Sequence, residues 1–473
     1  MVMTQELLIN GVFFGGPCDS SVSKQVVHSP WSGSVVGVAA EAMWPEADAA
    51  IFAAVQAFAS WKSTPRHERQ HLLVSVSQML RDRREFFAEL MADEIAKPLE
   101  MGRAEVNRAA LTFQLASELL SGPDFETADV SYDPRSEGVT ARILKEPVGP
   151  AFCITPYNWP INLAAHKVAP ALAAGCTVVV KGSDSASLCT LALGKLMSEC
   201  GFPPGVINFL NCEPSVAERI ALDSRIRAVS FTGSPKVGWH LKSKVTDKRV
   251  CLELGGNATV ILESTPNLDS VLDSLTASAF GYAGQICISA QNLCVVEELY
   301  EDTVTGLIER LPKAGNPREE GVLCGPLIST GALQSVQLRM TSAGGTVHGG
   351  EVVKPNLMNP AIIDNPHRMS EAVREEIFGP VLNVIPVKHV EEAIKLINGF
   401  DYGIHASIFS QSTDVQETAA RELQVGGVVI NDVPSLRFDN LPYGGIKKSG
   451  FGREGVRYAF DEFSEYKTVV TRG

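Results

Sequence analysis

Apolar positions in the first hundred-odd residues recur at helical spacing. In "EADAAIFAAVQAFASWK" the side chains of Ile51, Val55, Phe58 and Trp61 share one stripe, the pattern of a helix with one buried face. A second helical tract is predicted from about Glu68 through "SVSQMLRDRREFFAELMADEIAKPLE", and a third over "RAEVNRAALTFQLASELL". From Val148 the rhythm changes to short runs rich in β-branched residues. The runs "PAFCIT", "CTVVVKG", "GVINFLN", "IRAVSFTG" and "RVCLELGG" alternate with "PINLAAHKVAPALAAG", "SLCTLALGKLMSEC", "EPSVAERIAL" and "SPKVGWHLKS". Apolar strands joined by helical crossovers predict a parallel sheet covered on both faces. After Gly256 the alternation resumes, with strands expected at "ATVILE", "NLCVVEELY", "PVLNVIPV", "HASIFS" and "GGVVIND". That predicts a second α/β unit of similar plan. Between these regions "DVSYDPRSEGVTARILKEP" reads as a charged two-stranded hairpin, and the tail "SEYKTVVTR" as a further strand. Polar strands with no core of their own suit either pairing with another subunit or a solvated excursion.

Composition narrows the field. A chain of 473 residues exceeds one hydrophobic core, so two or three domains are expected. The net charge of -13 argues against a nucleic-acid partner, which would call for a basic face. No apolar run approaches the roughly 20 residues that span a bilayer, so no membrane association is expected. The opening "MVMTQELLING" lacks a basic segment followed by an apolar one, and no secretory signal is read there. The ten cysteines include no CxxC pair and none at zinc-ligand spacing with a histidine pair. They read as reduced thiols of a cytoplasmic protein, with no metal site.

Parallel sheets bind ligands outside the carboxyl ends of their strands. Those ends carry "TPYNWP", "KGSD", "FTGSP" and "ELGG". The GxGxxG fingerprint of dinucleotide sites is absent. In "FTGSPKVG", Gly233 permits a tight turn before a helix whose first N–H groups suit a pyrophosphate, although such turns are commonplace. In "VVVKGSD", Lys181 and Asp184 are within reach of ribose hydroxyls or form a solvated loop. Glu253 of "CLELGG" ends an apolar strand, where a carboxylate is costly to bury unless paired or working; a raised pKa and a general-base role fit. Asn158 stands between two aromatics after a strand, suited to donate to a developing oxyanion. Cys287 of "FGYAGQICISAQ" reads from its neighbours alone as a core thiol at least as well as a nucleophile.

Seven motifs change that balance: "TPYNWP", "VVVKGSD", "FTGSPKVG", "LELGGN", "GQICIS", "EEIFGPV" and "PYGGIKKSGFGREG". In this order and near these spacings, the chain resembles the aldehyde dehydrogenase superfamily over nearly its whole length. The resemblance implies two Rossmann-like parallel-sheet domains plus a small oligomerisation hairpin in a homodimer or homotetramer. Residues 1–120 and 144–253 would form the cofactor-binding domain, 254–447 the catalytic domain, and 121–143 with 455–473 the oligomerisation elements. It implies Cys287 as nucleophile, Glu253 as general base, and Asn158 with the Cys287 N–H as oxyanion hole. NAD, with NADP as an alternative, would lie against Thr155, Pro156, Tyr157, Lys181, Ser183, Asp184, Gly233, Ser234, Leu254, Gly255, Glu376 and Phe378.

The implied reaction takes an aldehyde to its acid through a cysteine thiohemiacetal and thioester. A coenzyme A-acylating enzyme and a non-catalytic protein keeping the fold are the alternatives. Glu253 argues against the first, and the intact Cys287, Glu253 and Asn158 against the second. There are departures from the family pattern. Tyr157 and Trp159 flank Asn158 where Trp and Phe are usual, the shorter Asp184 replaces a common Glu, and Ile286 and Ile288 flank Cys287 where semialdehyde enzymes often carry Arg. Arg108, Asn162, His166 and Arg437 fall where the family lines its substrate tunnel, which favours a small polar or anionic aldehyde. Arg108 pairing across helices and Arg437 in a solvated loop stay open at this point.

Overall fold

A computed structural model describes residues 3–473. Its first sheet has eight strands. Five are parallel, in the spatial order Arg249–Glu253, Ala228–Thr232, Ala151–Ile154, Val178–Lys181, Ile207–Leu210. These are the five runs expected from the sequence. Three short antiparallel strands extend the edges, Gly450–Phe451 on one side and Leu7–Ile9 with Val12–Phe14 on the other. The register pairs Ile154 with Lys181 and Phe231, and Thr232 with Glu253. One rim of the sheet therefore gathers the loops that begin at Thr155, Gly182, Gly233 and Leu254.

Four helices precede this sheet: α1 (Trp44–Trp61), α2 (Arg66–Asp82), α3 (Arg84–Glu94) and α4 (Leu99–Leu119). In α1 Ile51 and Trp61 are fully buried, while Val55 and Phe58 are half-buried and alanines complete the inner face. The single tract expected from Glu68 to Glu100 is instead broken twice. Arg83, at φ -105 and ψ 21, leaves the helix and turns α3 so that Phe87, Leu90 and Met91 reach the core. Farther on, Ala96 is left-handed at φ 53 and Pro98 disfavours helix at Lys97. Helix α5 (Pro160–Ala174) is buried on every side and crosses beneath the sheet. The crossovers α6 (Ser187–Glu199), α7 (Pro214–Leu222) and α8 (Pro235–Lys244) follow.

The second sheet has seven strands, six of them parallel: Ala361–Asp364, Val381–Val387, Asn292–Val296, Thr259–Leu262, His405–Phe409 and Gly427–Ile430. Ala361–Asp364 was not expected; four residues after Pro360 give too short a run to stand out. The expected strand "NLCVVEELY" stops at Val296, because Glu297 and Glu298 open a helix, where carboxylates favour the positive end of the dipole. The hairpin is also redrawn. Its first strand is Phe125–Ala128, ahead of the predicted start, and residues 129–138 form the turn. Its second strand, Val139–Pro147, runs past residue 143 and pairs along its whole length with the tail strand Ser464–Arg472. Among the described residues no helix is long and apolar enough to cross a membrane.

A buried ion pair ties this architecture to the rim. Lys97 and Glu105 are fully inaccessible and bonded to each other, and Lys97 Nζ also donates to the main-chain oxygen of Asn158 at 2.7 Å. The second oxygen of Glu105 accepts the N–H groups of Ile161 and Asn162 at 2.8 and 3.1 Å, capping α5. Removing one partner strands a buried charge at a cost of about 3–5 kcal/mol. Lys97→Met is therefore expected to lower unfolding free energy by about that amount in urea titration, and Lys97→Met/Glu105→Leu by less. A single-variant loss below ~1 kcal/mol would show that the pair does not hold this junction.

Candidate functional site

Two cavities meet at the Cys287 sulfur. One, of about 690 Å³, opens along the rim of the first sheet; the other, of about 380 Å³, lies between α4, α5 and the segment 432–443. Cys287 and Leu163 are the residues common to both walls. The thiol is presented by an unusual backbone. Tyr282, Ala283 and Gly284 are consecutively left-handed, at φ 50, 53 and 65. Such a conformation costs about 1–2 kcal/mol for each residue with a side chain. It is held in place by burial, by the Tyr282 hydroxyl donating to Ile95 O at 3.1 Å, and by Gly284, where a Cβ would come within 2.2 Å of Gly379 O. Gln285 fixes the exit from the turn: its Nε2 donates to Tyr282 O at 3.2 Å. Its Oε1 accepts from the Tyr157 hydroxyl and the Ile328 N–H, both at 3.0 Å.

Burial pushes the Cys287 thiol up to about 11, opposed by a hydrogen bond to Tyr443 and by the Arg437 cation. The contact from Cys287 Sγ to the Tyr443 hydroxyl is 3.0 Å. Asn158 is buried; one N–H of its carboxamide goes to Gln285 O at 2.8 Å, and the other has no such commitment. Glu253 lines neither cavity. It packs against Gly444, with both carboxylate oxygens buried and without hydrogen bonds. Burial first, and then the neighbouring Glu454 charge, push its pKa well above the usual carboxylate range.

The larger cavity is walled by Thr155, Pro156, Tyr157, Lys181, Ser183, Gly233, Ser234, Leu254, Gly255, Glu376 and Phe378, together with Asn158. Ser234 caps α8, its hydroxyl accepting the Val237 N–H, so the positive end of that helix faces the cavity. Glu376 Oε1 accepts the Gly256 N–H at 3.2 Å, and a Cβ on Gly255 would lie 2.1 Å from the other oxygen. A side chain there would displace the Glu376 carboxylate. Burial raises Glu376 to about 7. Phe378, left-handed at φ 53, sets its ring edge-on to Tyr157 with centroids 6.1 Å apart. Asp184 departs from expectation. It is exposed outside this wall and reaches it only through Lys181, whose Nζ it holds at 2.6 Å. The shorter Asp side chain folds back on its own turn.

Of the four residues expected in the smaller cavity, Arg108, Asn162 and Arg437 line it and His166 does not. His166 points away beneath α5, its Nε2 within 2.9 Å of Asp439 Oδ1. Burial and the nearby Arg437 lower its pKa, which keeps the ring neutral. Arg108 grips Asp439 with two bonds, at 3.1 and 2.6 Å. Burial opposes ionisation of Asp439, but the bonds from His166 and Arg108 hold it well below the usual carboxylate range. Arg437 is poorly satisfied by comparison. It is buried, stacked 3.5 Å from the Tyr443 ring centroid, with Glu454 and Asp439 carboxylates at 3.5 and 3.9 Å. Its Nε and Nη2 are buried with no hydrogen-bond partner. Trp159, Leu163, Ile286, Ile288 and Val433 supply apolar wall.

Sequence reasoning missed the support behind these groups. Lys167 bonds Glu454 at 2.7 Å, both fully buried, and Ser230 Oγ at 3.1 Å. Glu454 and Tyr443 belong to the quoted "PYGGIKKSGFGREG", so a signal existed for them. Nothing local marks Lys97, Lys167 or Asp439, whose partners lie up to 331 residues away in sequence.

An open α/β rim that presents a thiol between a long apolar-walled cleft and a short charged pocket defines a class, and sequence comparison agrees with it. The model of the aldehyde dehydrogenase family matches residues 18–469, and the chain belongs to that family. It is 33% identical over 466 residues to the 3-sulfolactaldehyde dehydrogenase of Priestia aryabhattai, covering 97% of each chain. Aldehyde dehydrogenase 21 from Physcomitrella patens, in complex with the reaction product succinate, superposes with a TM-score of 0.96 at 34% identity, covering 100% of this chain and 99% of that one. The NADP-dependent glyceraldehyde-3-phosphate dehydrogenase of Bacillus halodurans, complexed with NADP, gives 0.95 at 30% identity and 99% of each chain. The chain is an NAD(P)-dependent aldehyde dehydrogenase.

Proposed function

We propose that the substrate is a small aldehyde bearing an anionic group, oxidised to the acid with Cys287 as nucleophile. The observation that carries this is Arg437: a buried guanidinium in the wall of the short cavity, held by ion pairs of 3.5 and 3.9 Å to Glu454 and Asp439 but by no hydrogen bond. A cation so loosely held in the cavity wall favours a carboxylate or sulfonate on the substrate over a plain alkyl group. Arg108 is already neutralised by Asp439, so it stands as the secondary contact. The relative that acts on 3-sulfolactaldehyde and the structure that holds succinate support the same chemistry.

The residues of the long cleft would hold the dinucleotide: the α8 N-terminus and the approach at Gly255 suit a pyrophosphate and ribose, and Glu376 and Phe378 would meet the nicotinamide end. When bound, it supplies the hydride acceptor. The chain's own groups do the rest. The Cys287 sulfur adds to the carbonyl carbon, and the uncommitted Asn158 N–H holds the oxygen as charge develops on it. The Glu253 carboxyl, with no hydrogen bond to restrain it, turns toward the thioester and takes a proton from the attacking water. Lys181 stands in the cleft wall with its charge offset by Asp184, so a 2′-phosphate gains no free cation there and NAD is preferred.

Four outcomes follow from this reading. Cys287→Ala abolishes reduced-cofactor formation, whereas Glu253→Gln gives a burst of it followed by slow turnover in stopped-flow absorbance. Wild-type steady-state rates in either variant would overturn the roles. In the wild type, deacylation speeds up as pH rises through the raised pKa of Glu253, below which the carboxyl stays protonated. Steady-state assays with both cofactors give a higher kcat/KM for NAD, and Asp184→Asn narrows the gap; equal efficiency in the wild type would refute the preference. Finally, Arg437→Leu lowers kcat/KM for a dicarboxylic semialdehyde about 10-fold or more relative to an alkyl aldehyde of equal length. An unchanged ratio would remove Arg437 from substrate recognition.

A further inference from the structure

We infer that Tyr443 is a catalytic residue: its hydroxyl donates a hydrogen bond to the Cys287 sulfur and stabilises the thiolate over the thiol. The inference rests on the reading of Cys287 as nucleophile and adds a second group acting on the same atom.

The geometry carries it. The Tyr443 oxygen lies 3.0 Å from Sγ, inside hydrogen-bond distance for sulfur. The ring is fixed on both faces of its surroundings. Arg437 lies 3.5 Å from the ring centroid, and His405 packs edge-on with centroids 5.3 Å apart, its own Nδ1 within 2.9 Å of Pro434 O. The main chain of Tyr443 is clamped by paired bonds to Glu454, at 2.9 and 2.7 Å. Among the described residues the hydroxyl thus has one hydrogen-bonding neighbour, the Cys287 sulfur. A guanidinium over the ring draws electron density from the phenol and strengthens its O–H as a donor. Donor and acceptor roles follow from protonation. Burial keeps the phenol un-ionised, so once Cys287 loses its proton only Tyr443 can supply the hydrogen. A thiol in an apolar pocket is otherwise a poor nucleophile, because the anion loses its hydration. This phenol replaces part of that hydration before any substrate or cofactor arrives.

The groups that face the thiol and enter its titration are Tyr443, Arg437, Glu376 and Glu253. Tyr443 and Arg437 favour the anion; Glu376 and Glu253 oppose it. Changing only the Tyr443 hydroxyl leaves the other three in place.

The test uses the full-length protein without cofactor. Iodoacetamide alkylation is followed across pH, and peptide mass spectrometry separates Cys287 from the exposed Cys18. Tyr443→Phe is expected to raise the midpoint of Cys287 alkylation by about one pH unit, with a ~10-fold slower rate at any pH below both midpoints. Site-specific 3-fluorotyrosine at 443, a stronger donor of nearly the same size, is expected to lower the midpoint. The fluorinated chain keeps the test valid even if the phenylalanine variant folds poorly. A midpoint unmoved by the fluorinated residue, or one unchanged or lowered in Tyr443→Phe, overturns the inference. Failure of the nucleophile assignment is distinct: it is read from turnover by Cys287→Ala, which the Tyr443 titration does not enter.

Discussion

The buried pair of Lys97 and Glu105 is the constraint on which the site depends. Two opposite charges with no access to water are tolerable only when their remaining hydrogen-bonding capacity is filled, and here it is filled by main chain that matters. Lys97 fixes the carbonyl of Asn158, while Glu105 collects the first free N–H groups of α5. The ammonium also rests on the Trp159 ring, 3.7 Å from its centroid. One ion pair therefore sets the position of Asn158, the start of the central helix and one wall of the short cavity.

Around the thiol, strain and electrostatics are arranged in the same manner. The left-handed turn at Tyr282–Gly284 would not persist in an exposed loop; interior packing and Gln285 determine it from both ends. Because Gln285 also engages Tyr157 and Asn158, the thiol-bearing segment and the cofactor rim form one hydrogen-bonded unit across the two α/β halves. A displacement of either half would be felt at Sγ.

Along the short cavity runs a network of ionisable groups, most of them buried, with Lys167, Glu454, Arg437, Asp439, His166 and Arg108 in contact from one to the next. These charges are matched, although Arg437 meets Glu454 and Asp439 as ion pairs without a hydrogen bond. Glu253 sits at the end of the same network, its proton affinity raised by burial and by Glu454. Arg437, Cys287 and Glu253 thus share one electrostatic system, so substitutions among these residues should not act additively.

The sequence by itself determined the five central strands, the two α/β halves and the residues of the cleft. Fully buried parallel strands read as continuous apolar runs, and the loops at their ends carry recognisable punctuation. Its failures were local competitions: the break at Arg83, the short strand after Pro360, and the hairpin turn at 129–138 each depend on contacts outside the segment. In the site, the sequence supplied the identity of Cys287, Glu253, Asn158 and Arg437 but not their circumstances. Only the tertiary structure decided that Arg108 is spent on Asp439, that His166 faces away, that Asp184 folds onto Lys181 and that Tyr443 touches the sulfur. The reason is physical. Charge and hydrogen-bond satisfaction in a buried site are properties of pairs, and most of these pairs join segments hundreds of residues apart, where no periodicity or local propensity reports them.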